Sequence, residues 1–146
     1  MAGLNPKRTV VPIDFSDLSY QALDRALEIA GERGDVQVIH VLTELSTMEP
    51  GNLYGTLTDA ERIKSTEEYL RKKLADKKYA GVRVHATVGD AGREITAFAE
   101  REGADLIVIP SHGYGMLKHL LLGSVAERVV RLANCPVLVL RSGDRS

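Results

Sequence analysis

The sequence predicts an α/β fold: an open, parallel, five-stranded sheet with helices on both faces, built as one domain over residues 1–146 with its core about 7–141. Two observations carry this reading. Short apolar, β-branched runs alternate with amphipathic stretches from end to end, in the order β-α-β-α-β-α-β-α-β. Each pair of strands is separated by enough chain for a helical crossover, and such connections make neighbouring strands parallel with right-handed turns between them. An apolar fraction of 44% supplies a sizeable core, and 27% charged residues suit a hydrated surface.

Thr9-Val10-Val11-Pro12-Ile13 reads as a short buried strand. Ser16 or Asp17 can cap the next helix, whose apolar stripe is Leu18, Ala22, Leu23, Ala26, Leu27 and Ala30. Glycines at Gly31 and Gly34 end it, and Val36–Leu42 forms the second strand. From about Thr43 to Leu57 no period is visible; Ser46, Pro50, Gly51, Asn52 and Gly55 mark a loop. Thr58 or Asp59 caps a long charged helix reaching about Lys78, with sparse apolar positions at Ile63, Tyr69, Leu70 and Leu74. Val82–Val88 alternates cleanly, as a sheet edge or a half-exposed strand does. Gly89-Asp90 turns into a helix with Ile95, Phe98 and Ala99 on one face, and Gly103 closes it.

The segment from Asp105 to Leu140 is the most informative. Asp105–Ile109 is a strand that stops at Pro110-Ser111-His112-Gly113-Tyr114-Gly115. Gly123-Ser124 then opens a helix over Val125–Leu132, and Val137–Leu140 is the last strand. A glycine loop leaving a buried strand, followed by a Gly-Ser helix start, offers backbone N–H groups to an anion. Ligands in open α/β sheets bind outside the carboxyl ends of the strands, where strand order reverses. Asp14, Val41–Glu44 and Ser111–Gly115 all leave such ends. Nucleotide or phosphate binding is therefore the leading hypothesis. Ser124 suits a helix cap, a phosphate contact or both, and Lys118, His112 and His119 are candidate phosphate partners.

Other classes fit less well. A formal net charge of −1 gives no electrostatic case for nucleic acid, and no apolar run approaches the roughly 20 residues of a membrane span. The N-terminus lacks a secretory apolar region, and a lone cysteine, Cys135, reads as a buried, inert thiol in a reducing cytoplasm. No G-x-x-x-x-G-K-[ST] or G-x-S-x-G motif is present, and His40 and His85 have no metal-ligand spacing. No catalytic residue and no metal ligand stands out. Glu127 pairs naturally with Arg131.

Pro12-Ile13-Asp14-Phe15-Ser16, His40-Val41, Ser111-His112-Gly113, Gly123–Val129 and the Cys135–Val139 ending together resemble a universal stress protein domain, from about Lys7 to Arg141. The resemblance implies strand order 3-2-1-4-5 in a Rossmann-like, adenine nucleotide alpha hydrolase-like fold, and a homodimer through the last strand. Many family members bind ATP; others do not. In the ATP-binding subgroup glycine is followed by two residues, glycine, nine residues, glycine and Ser or Thr. Gly113, Gly123 and Ser124 match this pattern, but Pro110 stands at the first glycine. Proline donates no N–H and holds φ near −65°. The site the resemblance implies is Pro12, Ile13, Asp14, Val41, Pro110, Ser111, His112, Gly113, Gly123, Ser124 and Val125, holding ATP with Mg²⁺ or Mn²⁺. Ile13 and Val41 frame adenine there, Asp14 meets ribose or base, and the N–H of Val125 joins Ser124 at the phosphates. The apolar edge Val137–Leu140 pairs with a twin chain, Val137 and Val139 meeting their symmetry mates. The expected function is an ATP-responsive regulatory dimer in the stress response, with an unknown protein partner. The alternatives are a dimeric scaffold whose pocket Pro110 closes, and a very slow ATPase.

Overall fold

The computed structural model describes residues 4–44, 58–112 and 122–141. Gly113, Gly115, Lys118, His119 and most of the Thr43–Leu57 loop lie outside the described residues. Five parallel strands, β1 (Arg8–Pro12), β2 (Asp35–Leu42), β3 (Arg83–Val88), β4 (Leu106–Pro110) and β5 (Val137–Leu140), stand in the order β3-β2-β1-β4-β5. The helices between them are α1 (Asp17–Ala30), α2 (Asp59–Lys73), α3 (Ala91–Arg101) and α4 (Ser124–Leu132).

Strand side chains alternate between faces, and the central strands show it directly. Val11, Val38 and Val108 join Leu23, Ala26 and Leu70 under α1 and α2. Val10, Ile39 and Ile107 join Ile95, Phe98 and Val129 under α3 and α4. Because both faces are covered, the central strands are largely apolar, with Thr9 and Gln37 as buried polar exceptions. Each fully buried Val, Leu or Ile contributes about 1.5–3 kcal/mol of transfer free energy.

Local chemistry sets the element ends. Ser16, Thr58 and Asp90 cap α1, α2 and α3, their side chains accepting the N–H of Ser19, Glu61 and Arg93. The Thr58 hydroxyl also donates to Glu61 Oε1 at 3.0 Å, a side-chain pair across the first turn. Gly103, after α3, has φ +68°, which only glycine adopts without strain.

Several boundaries differ from the sequence expectation: β1 spans Arg8–Pro12 instead of Thr9–Ile13, and β2 and β3 begin one residue from the expected Val36 and Val82. α2 ends at Lys73 instead of near Lys78. Leu74 turns into the core, where it is buried, and Asp76 starts a separate 3-10 turn over Lys77–Tyr79 by accepting the Lys78 N–H. Tyr79 then donates its hydroxyl to Asp24 of α1 at 2.8 Å, which draws the chain off the helix axis. β4 runs through Pro110 instead of stopping before it. α4 begins at Ser124, with Gly123 as its cap residue.

Asp105 fixes the amino end of β1 against β4: its carboxylate accepts the N–H groups of Lys7 at 2.9 Å and Arg8 at 3.0 Å. Burial pushes its carboxyl up, but these backbone donors outweigh it and hold Asp105 below the usual carboxylate range. The folded chain therefore binds fewer protons there than the unfolded chain. The stabilisation is complete above the ordinary carboxylate value of about 4 and is lost as pH falls through the lowered folded value. Asp105→Ala is expected to cost about 1 kcal/mol at neutral pH, allowing for solvent screening. Urea titrations at falling pH should show that deficit closing in acid.

Candidate functional site

β1 and β4 are paired only at Thr9–Leu106 and Val10–Ile107. Beyond those pairs they part. The chain after β1 follows β2, with the Ile13 N–H donating to the Ile39 carbonyl at 2.9 Å. The chain after β4 follows β5, with the Ser111 N–H donating to the Leu140 carbonyl at 2.7 Å. Strand order reverses between these neighbours, and a crevice of about 320 Å³ opens at their carboxyl ends.

Pro12, Ile13 and Asp14 form one wall with His40 and Val41 from β2. Ala91 and Ile95, one turn apart on α3, add an apolar side. Pro110 and the first turn of α4, Gly123, Ser124, Val125 and Ala126, form the opposite wall.

The first wall is braced from behind. Asp14 Oδ1 accepts the Ser16 N–H at 3.0 Å and the Ser16 hydroxyl, while the Asp14 N–H donates to Ser19 Oγ at 3.3 Å. Ser16 Oγ also accepts the Ser19 N–H, so one serine holds the carboxylate and caps α1. Phe15 between them has φ +68°, a left-handed backbone that costs an ordinary residue about 1–2 kcal/mol. Its ring is seated against His40, centroids 4.5 Å apart, and edge-on to Tyr69 at 5.3 Å, which offsets that cost. The Ile13 carbonyl accepts His40 Nδ1–H at 2.6 Å.

The opposite wall is electropositive. Gly123 has φ −71° and ψ 163° and makes no side-chain cap. Its N–H donates to the Ser111 carbonyl at 2.6 Å, tying the start of α4 to the end of β4. The first amides of a helix have no intrahelical partner and concentrate the positive end of its dipole. Ser124 is the first helical residue, so its hydroxyl does not serve as the cap the sequence suggested.

Pro110 is accommodated by strand geometry. The N–H groups of Ile107 and Ser111 reach the carbonyls of Pro136, just before β5, and Leu140, its last residue. Alternation along the strand then turns the Pro110 nitrogen toward β1, past the last β1–β4 pair, where no ladder bond is lost. Its ring lines the crevice and does not fill it. Pro110→Gly should therefore leave ligand affinity unchanged by calorimetry. It should lower stability by about 0.4–1 kcal/mol through a freer unfolded chain; a large gain in affinity would show that the proline obstructs the site.

Of the residues named from sequence, Pro12, Ile13, Asp14, Val41, Pro110, Gly123, Ser124 and Val125 line the crevice together. Ser111 is buried behind this lining, its hydroxyl 3.2 Å from His112 Nδ1, and neither belongs to the wall. Gly113 lies outside the described residues. His40, Ser19, Ala91 and Ile95 are lining residues the sequence reading did not name as site residues. The 91/95 spacing signalled a shared helix face; nothing in the sequence signalled which end of it meets the crevice. Cys135 is half-buried instead of buried, and desolvation pushes its thiol up, so it stays protonated at neutral pH. Among the described residues no group of three or more His, Cys, Asp or Glu could hold a metal, and no helix is long and apolar enough to cross a membrane. Glu127 and Arg131 do pair, at 3.2 Å.

The sequence profile of the universal stress protein family matches residues 5–141. This chain belongs to the universal stress protein family. Universal stress protein MJ0531 of Methanocaldococcus jannaschii is 37% identical over 143 residues, covering 92% of this chain and 82% of that protein. The solved structure of MJ0577 from the same organism superposes with a TM-score of 0.74 at 33% identity, over 94% of this chain and 97% of that one. A universal stress protein solved in complex with cAMP superposes with a TM-score of 0.61 at 26% identity, over 93% and 97% of the two chains. The present universal stress protein thus has the strand order expected of its family.

Proposed function

We propose that this universal stress protein binds an adenine nucleotide, ATP with Mg²⁺ or Mn²⁺, and acts as a nucleotide-responsive regulatory homodimer in a cytoplasmic stress response. The observation that carries the reading is the crevice, which joins an apolar slot to a helix N-terminus. Ile13, Val41, Ile95 and Ala91 offer an uncharged bed for a base, Asp14 a carboxylate for ribose hydroxyls, and the Ser124 and Val125 amides, beside Gly123, a cradle for phosphate. Ser111, His112 and Gly113, which follow β4 in the chain, belong to the same proposed site by the family resemblance. Its volume is at the lower end of the roughly 300–1,000 Å³ of small-molecule sites. The cAMP complex of a family member supports an adenine nucleotide as the ligand class. The metal would ride on the phosphates and water, as Mg²⁺ commonly does.

The dimer rests on β5. It is the sheet edge, its inner side paired to β4, and Val137 and Val139 are only half-buried. A second copy pairing along that edge would cover it. Ligand occupancy would alter the surface that the dimer offers to a partner protein.

Thermal unfolding in millimolar ATP–Mg²⁺ tests the binding claim. A ligand at a hundred times its Kd stabilises the native state by about 2.7 kcal/mol, so the midpoint should rise by several degrees. No rise with ATP, ADP, AMP or cAMP would overturn the reading.

A further inference from the structure

Gly92 is the second residue of α3, a place where glycine weakens a helix by about 1 kcal/mol relative to alanine. It is buried, and the space a side chain would need is already taken. A Cβ there would lie 2.7 Å from Arg128 Cδ and Cγ and 2.8 Å from Arg128 Cβ. The stem of Arg128 thus crosses α3 directly over Gly92. Its Nε then turns to the Asp90 carboxylate at 3.0 Å. Asp90 is itself the cap of α3; the Arg93 N–H it accepts, with Arg128 beside it, holds its carboxyl below the usual range.

This contact joins the two helices that carry lining residues of the crevice. Ala91 and Ile95, either side of Gly92, line the crevice from α3. Arg128 is one helical turn from Ser124 and Val125, which line it from α4. We infer that Gly92, Arg128 and Asp90 form a positioning contact that sets the separation of the two helices and hence the place of the α4 first turn at the crevice. The inference deepens the nucleotide-binding reading and rests on it for its effect on affinity. Since Arg128 Cβ and Cγ are close to the α4 backbone, a methyl at position 92 cannot be absorbed by a distant side-chain tip and must displace α4 itself.

The test is a cycle of Gly92→Ala, Arg128→Ala and the double variant, with two readouts. One is the amide NMR signals of Ser124–Glu127 in the ligand-free protein; the other is ATP–Mg²⁺ affinity by calorimetry. Gly92→Ala should move those signals and weaken binding about tenfold, and should do both to a clearly smaller extent when Arg128 is already alanine, which removes the Cγ and Cδ contacts and keeps only that of Cβ. Unmoved signals, or equal effects of the methyl with and without the Arg128 side chain, would overturn the inference. If Gly92→Ala does not fold, recovery of folding in the double variant supports the contact, and failure to recover counts against it. Should the wild-type chain bind no ATP, the nucleotide reading fails while the NMR cycle still decides the positioning contact.

Discussion

Gly123→Val is expected to abolish nucleotide binding, with a loss of roughly a hundredfold or more in affinity, about 2.7 kcal/mol, while the chain stays folded. Gly123 is buried in the crevice wall, between the Ser111 carbonyl that receives its N–H and the first turn of α4. A branched side chain there would occupy the approach to the α4 amides. The backbone would tolerate it: φ −71° and ψ 163° lie in the extended region open to any residue. Valine is a poorer cap residue than glycine, so a stability loss of up to about 1 kcal/mol is expected. Calorimetry with ATP–Mg²⁺, alongside a thermal melt, separates the two effects. Wild-type affinity in a folded Gly123→Val protein would reject this end of the crevice as the phosphate site.

The second large effect is structural. Leu70→Ala should destabilise the fold by about 2–5 kcal/mol. α2 is strongly polar, and Leu70 is its one fully buried side chain, with Leu74 just after the helix the next. Tyr69, which the sequence reading counted among the sparse apolar positions of this helix, is 48% exposed, although its ring meets Phe15. The docking of α2 on the sheet is thus concentrated at Leu70. Its loss would also loosen Tyr69 from Phe15 and, through Phe15 and His40, the loop that carries Asp14. Denaturant titration should show the lower midpoint. Nucleotide affinity should fall less than in Gly123→Val, because the α4 end of the crevice is untouched. A change below 1 kcal/mol would show that α2 is held chiefly by other contacts.

The elements were legible because the signals for them are local. Runs such as Leu106–Ile109 have nowhere to go but a doubly covered sheet, and Ser16, Thr58 and Asp90 stand where caps must stand. Strand order was not legible in periodicity, since right-handed crossovers permit several orders; it came with the resemblance. What escaped was non-local. Leu74 to Lys78 continues a helix-forming composition, and only the pull of the core on Leu74 and of Asp24 on Tyr79 stops α2 early. Phe15 carries no mark of a left-handed backbone, because the contacts that sustain it come from β2 and α2. Whether Pro110 costs a ladder bond depended on which neighbour its nitrogen faces. That required the register of β4 against both β1 and β5.

A crystal structure of the chain with ATP–Mg²⁺ tests the central claim most directly. The expected result places adenine between Ile13 and Val41, ribose at Asp14 and the phosphates against Gly123 and the amides of Ser124 and Val125. A nucleotide bound elsewhere, or an empty crevice at saturating ATP, would contradict it.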